Sequence, residues 1–332
     1  MNRTDNIIDI AVAGCKDTTL ELMNALTEMG FKPGLLLTID AELAHRNKVA
    51  GYTDLKRYAA DKNIECYSCS SYSLNDPGDV EALSAYNIKI LLVNGWQRLI
   101  PVWLLNKLQI GAFGMHGSSR ALPYGRGRSP MNWSLIQNKK LFITNLFKYD
   151  PGVDDGDIVG TIVFDINEHD DARTMHYKNT LSMIKLLKDN LPGMLSNRYN
   201  LQTQLDTSVS YYPKRTEEDG IIFWHLDTEE IYNLIRAVTK PFSGAFTFLS
   251  DEKIIIWKAN PFDSRLFDPY IQPGTVLHVF LNGDFIVKTG NGSIIVSDYS
   301  SDGRENIIKG VQLHHKNYSY KNIFIYPAAE SK

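Results

Sequence analysis

His116 opens the stretch HGSSRALPYGRGRSP, which gathers Arg120, Arg126 and Arg128 among glycines and prolines. A loop has no packing reason to collect that mixture. Glycines let a backbone approach a ligand closely and offer N–H donors. Guanidinium groups suit carboxylate or phosphate. The plain alternative is a solvated surface loop carrying one ordinary histidine. A second stretch, YDPGVDDGDIVG at 149–160, places Asp150, Asp154, Asp155 and Asp157 between two strand-like runs. Acidic turns are common, and this one lacks the spacing of an EF-hand calcium loop. Its interest lies in pairing, because a carboxylate held against an imidazole favours the charged ring and fixes its tautomer.

Other candidates are weaker. Gly14 follows a strand-like run, but no Gly-x-Gly-x-x-Gly fingerprint surrounds it, so it reads as a packing glycine. Cys66 and Cys69 have redox or zinc spacing, yet Cys15 is the one other cysteine and CYSCSSYS looks like a strand end, not a helix start. No metal site is expected.

The elements that must position these residues follow from periodicity. IIDIAVAGC runs into KDTTLELMNALTEMGF as strand then helix, with Thr18 and Glu21 at capping-box spacing. KPGLLLTI, IKILLVNGW and LQIGAFGMHGSS read as further strands, and YTDLKRYAADKNI as a helix. That alternation predicts a doubly wound, mainly parallel α/β (Rossmann-like) sheet. Ligands bind beyond the carboxyl ends of such strands, where VNGWQRLIP and MHGSS both fall. DARTMHYKNTLSMIKLLKDN is expected to be helical and to stop at Pro192-Gly193. Residues 201–215 lack either period and read as a linker between domains at 1–200 and 216–332. After the linker, DTEEIYNLIRAVTKPFSGAF reads as a helix stopped near Pro241. KIIIWKA, GTVLHVFLNGDFIVKTGNGSIIVSDYS and NIFIYP read as short strands, with hairpin signals at Asn282-Gly283 and Asn291-Gly292. The C-terminal domain should be a small, mostly antiparallel β-sheet or barrel.

Composition sets limits. The formal charge is −3, and from residue 201 onward 13 basic residues face 16 acidic ones. Such a chain supplies no basic field for nucleic acid. No apolar run approaches the roughly 18 residues of a membrane span. The first apolar run is broken by Asp9, a poor signal peptide. Three cysteines suit a reducing cytoplasm better than a disulfide framework.

Taken together, Gly114-Met-His116-Gly-Ser118, the loop LPYGRGRSPMNW and Asp154-Asp-Gly156 resemble the ordered motifs of formyltransferases that use 10-formyl-tetrahydrofolate. Within that group the chain looks most like the sugar N-formyltransferases and the formyltransferase domain that modifies aminoarabinose. YYPKRTEEDGIIFW, IYNLIRAVTKPFSGAFTFL and PGTVL extend the likeness over nearly the whole chain. The resemblance implies that His116 is the catalytic histidine and that Asp154 orients it and favours its charged form. It implies that folate lies against Gly95, Trp96, Gln97, Arg98 and Leu99, with Arg128, Asp150, Gly152, Val153 and Asp154 on its other side. The implied acceptor is a nucleotide-linked amino sugar, N-formylated for surface polysaccharide. Tyr124, Arg126 and Trp133 are candidates to hold it, though each could equally be packing. A methionyl-tRNA acceptor, a formyl-folate hydrolase and a non-catalytic folate- or sugar-binding homologue are the competing readings. A homodimer is possible.

The sequence departs from the family pattern at two places. Gly114 stands where the family has an asparagine, which removes a side-chain amide donor; Asn94 and Asn132 are the candidates to replace it. The loop from His116 to Arg128 is also two residues longer than usual.

Overall fold

Alternating apolar runs and amphipathic stretches set the order of elements in the first half of the chain. They are β1 (Ile7–Ala13), α1 (Asp17–Glu28), β2 (Leu35–Thr38), α2 (Ala41–Arg46), α3 (Lys56–Asp61), β3 (Glu65–Ser68), α4 (Pro77–Ser84) and β4 (Asn87–Val93). There follow α5 (Val102–Lys107), β5 (Gly111–Ser118), the two-residue β6 (Arg126–Gly127), α6 (Pro130–Ile136), β7 (Leu141–Lys148), β8 (Ile158–Asp165) and α7 (Ala172–Leu195). The computed structural model describes residues 7–49, 51–303 and 306–321. The chain divides into two compact units, one of Met1–Gly127, Ile143–Phe164 and Tyr177–Ser210, the other of Arg128–Phe142, Asp165–His176 and Tyr211–Lys332.

The first unit is built on a seven-stranded sheet in the order β3-β2-β1-β4-β5-β7-β8. Its first five strands are parallel, and β7 runs antiparallel to β5. Both faces are covered: Ala11, Ala13, Leu35 and Leu37 belong to one core, Ile10, Val12 and Leu36 to the other. That is why these strands read as continuous apolar runs and not as alternation. Chain order reverses between β1 and β4, so the loop after β4 stands at the topological switch point.

Local chemistry locks that loop. The Asn94 N–H donates to the Ala13 carbonyl at 2.9 Å, and the buried Thr19 hydroxyl donates to the Asn94 carbonyl at 2.7 Å. The same hydroxyl accepts from the Lys16 N–H at 3.2 Å. The capping pair expected at Thr18 and Glu21 is therefore displaced: α1 starts at Asp17, and Thr19 is the residue that serves its first turn. Two other helical expectations need correction. The helix read from 52–64 is confined to Lys56–Asp61, and α7 continues through Pro192 to Leu195. Among the described residues no helix is long and apolar enough to cross a membrane.

The second unit carries β9 (Tyr211–Tyr212), α8 (Thr228–Val238), β10 (Ala245–Leu249), β11 (Glu252–Phe262), β12 (Val276–Val279), β13 (Phe285–Lys288) and β14 (Ser293–Ser301). Asp227 and Glu230 form a capping box that starts α8. Five of its strands make an antiparallel sheet in the order β10-β11-β14-β13-β12. Asn282-Gly283 turns β12 into β13, with Gly283 at φ +92°, and Asn291-Gly292 turns β13 into β14. α8 ends at Val238, shortly before Pro241 where a stop was expected, and Ala245 and Phe246 begin β10. NIFIYP lies outside the described residues.

Candidate active site

His116 lies on β5, two residues from the end of the strand, and is buried. Its Nδ1 faces the Asp154 carboxylate at 3.3 Å. Its Nε2 faces the Gly125 carbonyl at 2.9 Å. Both ring nitrogens thus meet acceptors, and a neutral imidazole can donate to one of them alone. Ser118, next along the same face of the strand, buries a hydroxyl that has no partner among the described residues.

Asp154 reaches the ring because the turn between β7 and β8 bends back. It adopts φ +50°, a left-handed conformation that a short polar side chain tolerates. The carboxylate oxygen that faces His116 also accepts the Gly127 N–H at 2.9 Å. Gln204 braces the turn from behind: its amide donates to the carbonyls of Asp154 and Gly156 at 2.8 and 2.9 Å. Its carbonyl oxygen accepts from the Arg126 guanidinium at 2.6 and 3.2 Å. Ser210, also buried, accepts the Gly125 N–H at 3.0 Å. The stretch read as featureless linker therefore supplies two residues that hold the loop and the turn around His116. Nothing in its composition announces this, because their partners lie far away in sequence.

The residues expected to meet folate stand on two loops of the first unit. After β4, Gly95 adopts φ +76° in a place where a β-carbon would lie 2.5 Å from the Thr19 hydroxyl. The Gln97 N–H donates to the Tyr72 hydroxyl at 2.9 Å, and Arg98 lies over the Tyr72 ring and donates to Asn47. Trp96 is buried against Tyr72 with its indole N–H unpartnered among the described residues, while Leu99 is exposed. In the other turn Asp150 and Val153 are exposed and Gly152 is half-buried. Burial first, then the charges of Asp155 and Asp157, raise the Asp150 carboxyl above its usual range. The exposed side chains of Leu99 and Val153 and the unpartnered indole N–H of Trp96 suit a flat, amide-rich heterocycle such as a pterin.

The remaining candidates have local partners. Tyr124 lies under the Arg120 guanidinium, 4.1 Å away. Asn94 donates its side-chain amide to the Thr18 carbonyl at 2.7 Å. In the second unit, Asn132 donates to the Ala237 carbonyl at 2.6 Å, and the Arg128 N–H donates to the Tyr212 carbonyl at 3.0 Å. Trp133 stacks on Tyr212 and donates to the Pro213 carbonyl at 3.0 Å, buried in that unit. One residue went unnoticed in the sequence. A β-carbon at Gly114 would lie 2.5 Å from the Tyr149 hydroxyl.

Comparisons with known proteins find relatives of this fold. The chain is 32% identical over 257 residues to the bifunctional polymyxin resistance protein ArnA of Wigglesworthia glossinidia brevipalpis, which covers 77% of this chain and 38% of that protein. HypX of Aquifex aeolicus superposes with a TM-score of 0.63 at 15% identity, covering 89% of this chain and 46% of that one. An N-formyltransferase of Helicobacter canadensis, solved with folinic acid and dTDP-3-aminofucose, gives a TM-score of 0.63 at 20% identity over 88% of this chain and all of its own. This chain thus spans less than half the length of the first two relatives. The formyl transferase model matches residues 11–186, a span that contains both His116 and Asp154, and the formyl transferase C-terminal domain model matches 214–311. The two models together cover most of the chain, which belongs to the formyl transferase family.

Proposed function

We propose that the protein transfers a formyl group from 10-formyl-tetrahydrofolate to the amine of a nucleotide-linked amino sugar, giving an N-formylated sugar for surface polysaccharide. The observation that carries this reading is the His116–Asp154 contact at 3.3 Å on one braced loop system. Bound 10-formyl-tetrahydrofolate supplies the one-carbon unit. His116 takes the proton that the attacking amine must lose and returns it at the folate nitrogen. Asp154 holds the ring by Nδ1, which leaves Nε2 as the working nitrogen once the Gly125 carbonyl gives way. No nucleophilic side chain is required, since the amine attacks directly. Gly95–Leu99 and Asp150–Asp154 take the folate, with Arg128 as a further candidate; Tyr124 and Arg126 remain the candidates on the acceptor side, whereas Trp133 is buried and spent on the Pro213 carbonyl.

The sugar is favoured over tRNA because residues from 201 onward carry more acidic than basic groups, whereas phosphate neutralisation dominates binding to a polynucleotide. The test is incubation with 10-formyl-tetrahydrofolate and a panel of nucleotide amino sugars, followed by product mass and folate absorbance. A formylated sugar made by the wild type and lost in His116→Asn, with folate binding retained, is the expected result. Formate without formylated sugar would overturn the transfer reading in favour of hydrolysis.

A further inference from the structure

We propose that the Tyr149 hydroxyl takes the place of the amide that Gly114 lacks, donating a hydrogen bond to the formyl oxygen as transfer proceeds. The inference rests on the transfer reading above, and it names a catalytic residue which that reading does not contain. An ideal β-carbon at Gly114 would lie 2.5 Å from the Tyr149 hydroxyl, 2.8 Å from Cζ and 2.9 Å from Cε1. An asparagine amide nitrogen stands roughly 2.4 Å from its own β-carbon, by ordinary amide bond lengths. The phenol oxygen therefore occupies the shell that the missing amide would reach. The glycine is what makes room for it.

The sheet directs it there. Residues 112, 114 and 116 of β5 share one face, the face that carries the imidazole. The Tyr149 N–H donates to the Ala112 carbonyl at 2.8 Å, so Tyr149 stands across from Ala112 and its ring leans diagonally over Gly114. Phe147, paired with Gly114, supports the ring at 4.9 Å between centroids. Among the described residues none accepts from the hydroxyl. Burial, with a smaller contribution from the Asp154 charge, pushes the phenol well above its usual range. It therefore stays a neutral donor at any working pH. The two other candidate donors are engaged, Asn94 by Thr18 and Asn132 by Ala237.

The step balances without consuming the tyrosine. A bond forms between the amine nitrogen and the formyl carbon, and the bond from that carbon to the folate nitrogen breaks. The amine proton passes to the folate nitrogen through His116. Negative charge grows on the formyl oxygen and then subsides, and Tyr149 keeps its proton throughout.

Two measurements test this together. Tyr149→Phe preserves the ring and should lower kcat by about 10²-fold with folate affinity unchanged, the usual cost of one lost donor to a developing oxyanion. Gly114→Asn alone should also be slow, because the two side chains compete for one place; Gly114→Asn combined with Tyr149→Ala should recover part of the rate lost in Tyr149→Ala. The second measurement needs no turnover: the infrared carbonyl stretch of a stable 10-formyl folate analogue, labelled with ¹³C at the formyl carbon and bound without acceptor. It should lie lower in the wild type than in Tyr149→Phe. Equal frequencies in the two proteins overturn the assignment, as does an undiminished kcat in Tyr149→Phe. A frequency difference in a wild type that formylates no amine would sink the acceptor reading and leave the tyrosine assignment standing.

Discussion

At the scale of single residues, Asp154 has two tasks on one oxygen: it faces the imidazole and accepts the Gly127 N–H. Asp154→Asn retains a polar group for the loop but removes the carboxylate that faces Nδ1 of His116 and orients its ring. It should lower kcat by about 10²–10⁴-fold, the range for loss of general acid–base catalysis, with folate binding little changed. Binding titration beside steady-state kinetics separates the two effects; loss of folate affinity with kcat intact would contradict the assignment. His116 is legible in the sequence from the glycine- and arginine-rich loop it heads, and Asp154 through the resemblance of the ordered motifs, because the acidic turn by itself offers four aspartates. Tyr149 is not. A tyrosine beside an acidic turn carries no mark of where its hydroxyl ends, and that depends on β5 pairing with β7 in one register.

At the scale of elements, one threonine ties the switch-point loop to α1. Thr19 is fully buried, and its hydroxyl joins the Asn94 carbonyl to the first turn of α1. Thr19→Val keeps the shape and leaves the Lys16 N–H and the Asn94 carbonyl without this partner. That should cost about 1–3 kcal/mol, and a unit of this size loses roughly 2–4 °C of Tm for each kcal/mol. Folate KM should rise with kcat nearly constant, since Gly95–Leu99 follow directly. Thermal melts and kinetics check both halves; an unchanged melt would show that the loop is held elsewhere. The hairpins of the second sheet were legible from Asn-Gly pairs because a two-residue turn is set by local backbone preference. The course of α7 through Pro192 was not, because packing of its buried face outweighs one lost N–H.

At the scale of the whole molecule, several buried or half-buried phenols set the alkaline limit. Burial raises Tyr52 to about 12 and pushes Tyr67, Tyr72 and Tyr149 higher still. The folded state then holds these protons when the unfolded chain has lost them, so their stabilising effect is complete below pH 10 and declines as pH rises from there. Tyrosinate absorbance should therefore rise in a cooperative step that coincides with loss of circular dichroism above pH 10. Gradual ionisation near the ordinary value, with the dichroism intact, would contradict it.

Local information determined much about this protein. Hydrophobic period marked a doubly wound sheet followed by antiparallel strands, and the order of His116, the glycine- and arginine-rich loop and Asp154 pointed to a proton-handling site, because both signals are carried by neighbours along the chain. Tertiary structure alone decided which side chains were free to act. Asn94, Asn132 and Trp133 are spent on hydrogen bonds to backbone carbonyls, Gln204 and Ser210 brace the loops around the imidazole, and Tyr149 fills the room above Gly114. A donor's availability depends on what folding brings against it, and those partners stand tens of residues away.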